Sequence, residues 1–477
     1  MDRLQNYIAG AYVEARSQAT SPVIDPTTGT EYLAAPVSGP EDVDAACQAA
    51  QQAFDAWKWA TPAERSLALF RIADGLEARA DEFIEAEARN TGKPLSFLRA
   101  EEFPMALDNL RYFATLARNL PGVSTGQYVR GYDSTLRREP VGVCGCVTPW
   151  NYPLAMAVWK VGPALAAGNS VVIKPSDTTP VTTAMFAEIV GEHIPPGVFN
   201  VIVGDRDTGR ALVRHPLTDL ITVTGSVRAG MEIAASAATD LKRVQLELGG
   251  KAPVLVFADC DLERTVEGIS SAGFVNAGQD CAASTRVLVH DSIAGEITGR
   301  LAERAARTVY GRPDEDDAEY GPLNNETQLS RVEGFLERRP GHAEILVGGT
   351  ADRRDGGYYF RPTVITGLQQ PDEMIQQEIF GPVITIQTFK DEAEAVAKAN
   401  AVKYGLASSI WTTSHETAVR VSSLLDFGSV WVNCHLVMAA EMPNAGFKHS
   451  GYGNDLSVAA LDTYTRVKHV MSAIPRS

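Results

Sequence analysis

Two residues in this chain have the surroundings of reacting groups. Cys281 closes the stretch Asn276-Ala277-Gly278-Gln279-Asp280-Cys281, ahead of the apolar run Arg286-Val287-Leu288-Val289-His290. Upstream, Glu247 lies in Leu246-Glu247-Leu248-Gly249-Gly250-Lys251, where an alternating strand pattern meets a tight turn. A thiolate is a strong nucleophile, a carboxylate is a proton acceptor, and glycines beside each let a ligand approach. The pair reads as a covalent nucleophile and its general base. Taken alone, a single Cys is more often a small buried hydrophobe.

Four further segments hold chemistry-bearing residues. Thr148-Pro149-Trp150-Asn151-Tyr152-Pro153 follows a strand-like run, and Asn151 offers an amide donor suited to an oxyanion. In isolation, an Asn in a Pro-flanked loop fits an Asx-turn equally well. Lys174-Pro175-Ser176-Asp177 ends the next run, where Lys and Asp can hold ribose hydroxyls or form a solvated turn. Thr224-Gly225-Ser226-Val227-Arg228-Ala229-Gly230 reads strand, glycine, helix, and a helix N-terminus suits a pyrophosphate. No Gly-x-Gly-x-x-Gly is present. Glu378-Ile379-Phe380-Gly381-Pro382 sets a carboxylate and an aromatic before a turn.

The elements that must position these residues follow from apolar periodicity. Glu41–Lys58, Ala63–Asn90 and Glu101–Leu120 read as helices after a short hairpin-like N-terminus, the last stopped by Pro121-Gly122. From Val141, β-rich runs alternate with helical patterns: Val141–Val147, Ser170–Ile173, Val198–Val203, Leu220–Thr224 and Val244–Leu248. This alternation predicts βαβ units and a parallel sheet covered on both faces. A second series follows Gly249-Gly250: Val254–Phe257, Val287–Val289, Ile345–Val347, Val364–Ile365, Val383–Phe389, Ser408–Trp411 and Ser429–Val432. Gly122–Glu139 and Thr463–Met471 alternate like strands yet stand apart from both series, as a projecting hairpin or as a connector and a tail.

At 477 residues the chain is long enough for two or three domains. A net charge of −16 argues against nucleic acid or an anionic membrane as partner. Six scattered cysteines predict a reduced, cytoplasmic protein, with Cys144 and Cys146 on one side of a strand as core thiols. The eight histidines form no His-Glu-x-x-His and no Cys/His cluster, so no metal site is expected. No signal-peptide core and no apolar run near the ~18 residues of a membrane span is found.

In this order and spacing, the Glu-Leu-Gly-Gly-Lys and Gly-Gln-x-Cys motifs with their companions resemble the aldehyde dehydrogenase superfamily over essentially the whole chain. The resemblance implies an α/β fold with a Rossmann-like cofactor domain (1–121 and 140–248) and a catalytic domain (249–438). It also implies an oligomerisation arm (122–139 and 463–477), a connecting segment near the site (439–462), and a homodimer or homotetramer. Cys281 would attack an aldehyde, Asn151 would hold the oxyanion, and Glu247 would activate water against the thioester. NAD would be bound by Thr148, Pro149, Trp150, Lys174, Ser176, Asp177, Gly209, Gly225, Ser226, Gly230, Glu378 and Phe380. Many NAD-preferring members carry Glu where this chain has Asp177. Its carboxylate still repels a 2′-phosphate, though the shorter side chain leaves NADP use open.

Tyr152 and Trp159 are spaced to share a helix face, and with the carboxylates Asp280 and Glu441 they suit an ammonium-bearing aldehyde. The segment from Ser429 through Glu441-Met442-Pro443 looks most like γ-aminobutyraldehyde dehydrogenases, with betaine-aldehyde dehydrogenases sharing Glu-Met-Pro. Glu102 and Asp108 would add negative charge at the tunnel mouth. Two other readings stay open: betaine aldehyde or another simple aldehyde as substrate, and a non-catalytic binding protein on the same fold. A CoA-acylating enzyme is disfavoured by the presence of Glu247.

Overall fold

The computed structural model describes residues 3–119 and 125–474. Residues 1–2, 120–124 and 475–477, and with them the Pro121-Gly122 stop and the outer ends of both arm segments, lie outside that description.

The alternating run from Val141 builds the first sheet. Its parallel strands lie in the order Phe199–Val201, Ser170–Lys174, Val143–Val147, Leu220–Gly225, Arg243–Leu248. The chain winds outward from Val143–Val147 in one direction and then restarts on its other side at Leu220–Gly225. That reversal is the switch point of a doubly wound sheet, where strand ends part and leave a crevice for ligand. Two antiparallel additions close the edges: the hairpin Asn6–Ile8 with Ala11–Val13 on one side, and Gly451–Tyr452 on Arg243–Leu248 at the other. The helix Pro153–Ala167 is buried along its whole length. Its near-uniform apolar sequence explains this, because a helix apolar all round has no face to offer water.

The second sheet runs Glu344–Val347, Thr363–Thr366, Val383–Phe389, Arg286–His290, Pro253–Val256, Ala407–Trp411, Ser429–Val432. Only its edge strand Glu344–Val347 is antiparallel to its neighbour. Its central strands are apolar and buried on both faces, as a covered parallel sheet demands. The two sheets are joined by residues 249–252, so Glu247 ends one sheet just before the chain enters the other. A third sheet pairs Thr465–Ala473 with Tyr132–Pro140 along its full length and adds Gly126–Val129. Among the described residues no helix is long and apolar enough to cross a membrane.

Two helices differ from their periodicity. The stretch expected at Ala63–Asn90 divides into Pro62–Ala78 and Ala80–Thr91, because Arg79 leaves helical geometry at φ −111°. The helix expected from Glu101 begins at Phe103 and follows a π-helical turn, Leu98–Glu102. Pro104 contributes no N–H to an α-helical ladder there, and the wider turn swings Glu102 inward. The N-terminal region also holds a strand pair, Thr20–Asp25 with Thr30–Pro36, that alternation did not expose.

Candidate active site

At the switch point the ends of Val143–Val147 and Leu220–Gly225 open onto a cavity of about 1660 Å³, walled by residues from both sheets. One small ligand typically needs ~300–1,000 Å³, so this space admits two reactants.

Cys281 stands on its wall, half-buried. A 3₁₀ turn, Val275–Gly278, precedes it, with Asn276 and Ala277 at φ 50° and 55°. Such backbone is unfavourable for Ala and marks a turn held by its surroundings. Gln279 supplies much of that hold: its amide donates to Asn276 O at 2.9 Å and its Oε1 accepts from the Asn324 N–H at 2.8 Å. A tight turn then runs Asp280 to Ala283, closed by the Ala283 N–H on Asp280 O at 3.2 Å, with Cys281 at its crest. A side chain at Gly250 would collide with the Cys281 carbonyl, which explains the glycine there. Burial pushes the thiol well above its ordinary range, and Asp280, Glu247 and Glu378 add to the shift. The resting sulfur therefore carries its proton.

Asn151 is tied to the same turn. Its Nδ2 donates to Gln279 O at 3.0 Å, while Asn276 Nδ2 donates to Asn151 O at 3.0 Å. An amide nitrogen carries two protons, so one stays free for a developing oxyanion beside the sulfur.

Glu247 is buried on the last strand of the first sheet, and it too reaches the cavity. Its Oε1 has no hydrogen-bond partner, and its Oε2 receives a long contact, 3.5 Å, from Asn444 Nδ2. Behind it lies a polar cluster that the motifs did not reveal. Lys160 donates to Asp455 Oδ2 at 2.6 Å and to Gln245 Oε1 at 3.0 Å, with both charges fully buried. Burial, then the Asp455 charge, raises the Glu247 carboxyl well above the usual range, while Lys160 and the Gly446 N–H pull it back. Such a carboxylate has a high affinity for a proton and is suited to taking one. The available signal was Lys160 itself, a charge inside an otherwise apolar helix.

The residues expected to meet a dinucleotide divide into two groups. Pro149, Trp150, Gly225, Ser226, Glu378 and Phe380 stand on the cavity wall. A Cβ on Gly225 would meet only the Val223 side chain, at 3.9 Å, and the Thr148 and Thr224 hydroxyls are buried without partners. Ser226 caps the helix Val227–Ala238, accepting the Ala229 N–H at 3.3 Å. Trp150 meets Phe380 edge-on at 5.3 Å between ring centres. Glu378 Oε1 accepts the Gly250 N–H at 2.8 Å, and burial pushes its carboxyl up to about 7. The second group sits at and beyond the end of the neighbouring strand Ser170–Lys174, outside the cavity wall. Lys174 Nζ donates to Pro175 O at 2.6 Å and Gly204 O at 3.0 Å, and burial lowers it to about 8. Gly209 lies over the Lys174 stem, and Ser176 Oγ donates to Asp177 Oδ1 at 3.2 Å. Gly230 has a different part: a Cβ there would come within 2.6 Å of Leu248, so it lets the helix pack on the strand.

Tyr152 and Trp159 both reach the cavity with Met156 between them. The Tyr152 ring is not bare, however. Lys93 Nζ lies 4.1 Å from its centroid, and the phenol is hydrogen-bonded to Asp280. Lys93 is paired with Glu102 at 2.6 Å, both nearly inaccessible. The other oxygen of Glu102, Oε1, is buried and receives no donor, and burial raises this carboxyl to about 8, with Glu87 adding to the shift and Lys93 opposing it. Glu441 and Asp108 are exposed and stand outside the cavity wall. The loop from 439 turns Glu441 outward, toward the Tyr112 phenol, so the acidic residues lining the cavity from this side are Asp280, Glu101 and Glu102.

The chain is similar to known proteins along nearly its whole length. The aldehyde dehydrogenase family model matches residues 12–470. HpcC from Thermus thermophilus superposes with a TM-score of 0.96 at 38% identity, covering 100% of this chain and 94% of that one. PnpE from Pseudomonas sp. WBC-3 does so at 0.97 and 35%, covering 100% and 98%. Betaine aldehyde dehydrogenase from Staphylococcus aureus, in complex with NAD+, gives 0.96 and 34%, covering 99% and 95%. A Cys thiol, an amide donor and a buried carboxylate around one cavity, in a chain that matches almost end to end, identify this protein as a member of the aldehyde dehydrogenase family.

Proposed function

We propose that this enzyme oxidises a short aldehyde bearing a primary ammonium group, 4-aminobutyraldehyde to 4-aminobutanoate, with NAD as cofactor. The observation that carries the reading is the meeting of Cys281, Asn151 and Glu247 at one cavity large enough for two reactants. The Cys281 thiol gives its proton to water in the cavity, and the thiolate adds to the aldehyde carbon. The new oxyanion takes hydrogen bonds from Asn151 Nδ2 and the Cys281 N–H, and its collapse expels hydride and leaves a thioester. NAD, when bound, supplies the hydride acceptor. Glu247 then takes a proton from water as the water oxygen attacks the thioester carbon; the C–S bond breaks and the acid leaves.

The uncrowded face of Gly225 and the unpartnered Thr148 and Thr224 hydroxyls fit a dinucleotide. Trp150, Gly225, Ser226, Glu378 and Phe380 would hold its nicotinamide half. Lys174, Ser176, Asp177 and Gly209 would hold the adenosine end, with the Asp177 charge disfavouring a 2′-phosphate. Similarity to the S. aureus enzyme solved with NAD+ supports the same choice. The reading includes a cofactor domain around the first sheet, a catalytic domain around the second, and a cytoplasmic homo-oligomer joined through the arm.

Glu102 favours the primary ammonium over betaine aldehyde. A buried carboxylate oxygen without a partner wants a donor. A primary ammonium brings three N–H groups and a trimethylammonium none. The test compares kcat/KM for 4-aminobutyraldehyde, betaine aldehyde and butyraldehyde. A preference for the first of at least tenfold, about the effect of one charge-assisted hydrogen bond, is expected. Equal values for butyraldehyde would remove the ammonium from the reading. NADH formation undiminished in Cys281→Ala would remove the reaction.

A further inference from the structure

The wall of the cavity also holds a buried imidazole that the chemistry above does not use. His435 lies on the loop after the strand Ser429–Val432, and it is buried at 8% exposure. Its Nε2 is 2.7 Å from the Ala282 carbonyl and its Nδ1 2.8 Å from Ser409 Oγ. A carbonyl only accepts, so Nε2 carries the proton, and in the neutral ring Nδ1 accepts from the Ser409 hydroxyl. Ser409 in turn accepts from Trp411 Nε1 at 3.2 Å. A continuous chain of bonds thus runs from the strand Ala407–Trp411 through His435 to the residue after the nucleophile.

Two further observations indicate that this link is held deliberately. Asn433 and Leu436, on either side of His435, have φ 54° and 59°. Asn tolerates that geometry, but Leu adopts it only under constraint. The His435 ring also packs on Trp431 at 4.8 Å between centres, and Trp431 Nε1 donates to Val437 O at 2.8 Å, fastening both sides of the loop. On the other partner, Ala282 is third in the Asp280–Ala283 turn. Its N–H is taken by Asp280 Oδ1 at 2.7 Å, and its carbonyl, which the turn does not use, is taken by His435. The peptide after Cys281 is thus held by Asp280, and the next peptide by His435.

We propose that His435 is a positioning residue that fixes the nucleophile turn, and with it the aim of the Cys281 sulfur and backbone N–H. The proposal rests on the reading of Cys281 as nucleophile. Purified enzyme with NAD and 4-aminobutyraldehyde is followed by stopped-flow NADH formation, normalised to alkylatable Cys281. His435→Phe keeps the ring and loses both bonds; the first-turnover rate is expected to fall about 100-fold, as for an ångström-scale misplacement, with NAD affinity unchanged. His435→Gln, whose Nε2 reaches toward Ala282 O, restores most of that rate. Ser409→Ala costs about fivefold alone and nothing further in the His435→Phe background. A rate per titrated thiol near wild type in His435→Phe overturns the proposal, as does a Gln variant no better than Phe. Should the Phe variant not fold, Ser409→Ala decides: a loss supports the proposal and an unchanged rate refutes it. A wild type without NADH formation would instead refute the reaction, and the alkylation rate of Cys281, altered by Phe and not by Gln, would still test the turn.

Discussion

Replacing Glu247 with Gln separates formation of the thioester from its release. The two side chains have the same shape. The carboxylate's neighbours in the fold are a 3.5 Å contact from Asn444 and the Gly446 N–H, and its Oε1 is unpartnered. The swap therefore breaks no strong bond, and stability should change by no more than about 1 kcal/mol. Catalysis should change far more. A positioned general base contributes roughly 10²–10⁴-fold, or about 3–5 kcal/mol of barrier, and in the proposed reaction it acts on the second half-reaction. In the proposed reaction, addition and hydride transfer use Cys281 and Asn151, which the variant retains. In a stopped-flow assay, Glu247→Gln should give a stoichiometric burst of NADH followed by a steady state slower by that factor. A variant that turns over near the wild-type rate, or loses burst and steady state together, would refute the division of labour.

Three other outcomes follow from the same geometry. Asn151→Ala removes one oxyanion donor and should lower kcat by about 10²–10³-fold in steady-state assays, with little effect on NAD binding. Asp455→Asn removes a charge that raises the Glu247 carboxyl. The base should then ionise at lower pH, and the acid limb of the kcat–pH profile should move down; a shift upward contradicts the arrangement. Burial lowers His435 from 6.5 to about 4, so the unfolded chain binds a proton that the folded one refuses. Stability should fall as pH drops from 6.5 toward 4, by on the order of 3 kcal/mol from this residue. Urea midpoints of the wild type and His435→Gln should differ in that slope.

Much of the fold was legible because its signals are local. The Val143–Val147 and Val383–Phe389 runs are β-rich and bounded by turn residues, and they fold where the pattern indicates. Cys281 and Glu247 were visible because glycine-flanked motifs mark them. What escaped depends on contacts far apart in sequence. Asp455 matters through Lys160, 295 positions away, and His435 through Ala282, 153 positions away. Glu102 appeared as one of two acids on a helix, yet the π-helical turn buries it while Asp108 stays in solvent. Glu441 looked equally promising, and the loop turns it outward. The spacing of Tyr152 and Trp159 carries no sign of Lys93, which covers the Tyr152 ring from a distant loop.

The central claim is a covalent bond between substrate and Cys281, and a mass measurement tests it most directly. Glu247→Gln is mixed with NAD and 4-aminobutyraldehyde, quenched in acid, and digested for peptide mass spectrometry. Cys434 also stands on the cavity wall and serves as an internal comparison. The account predicts one acyl group on the peptide containing Cys281 and none on that containing Cys434. An unmodified Cys281 peptide during NADH formation, or the acyl group on Cys434, would contradict it.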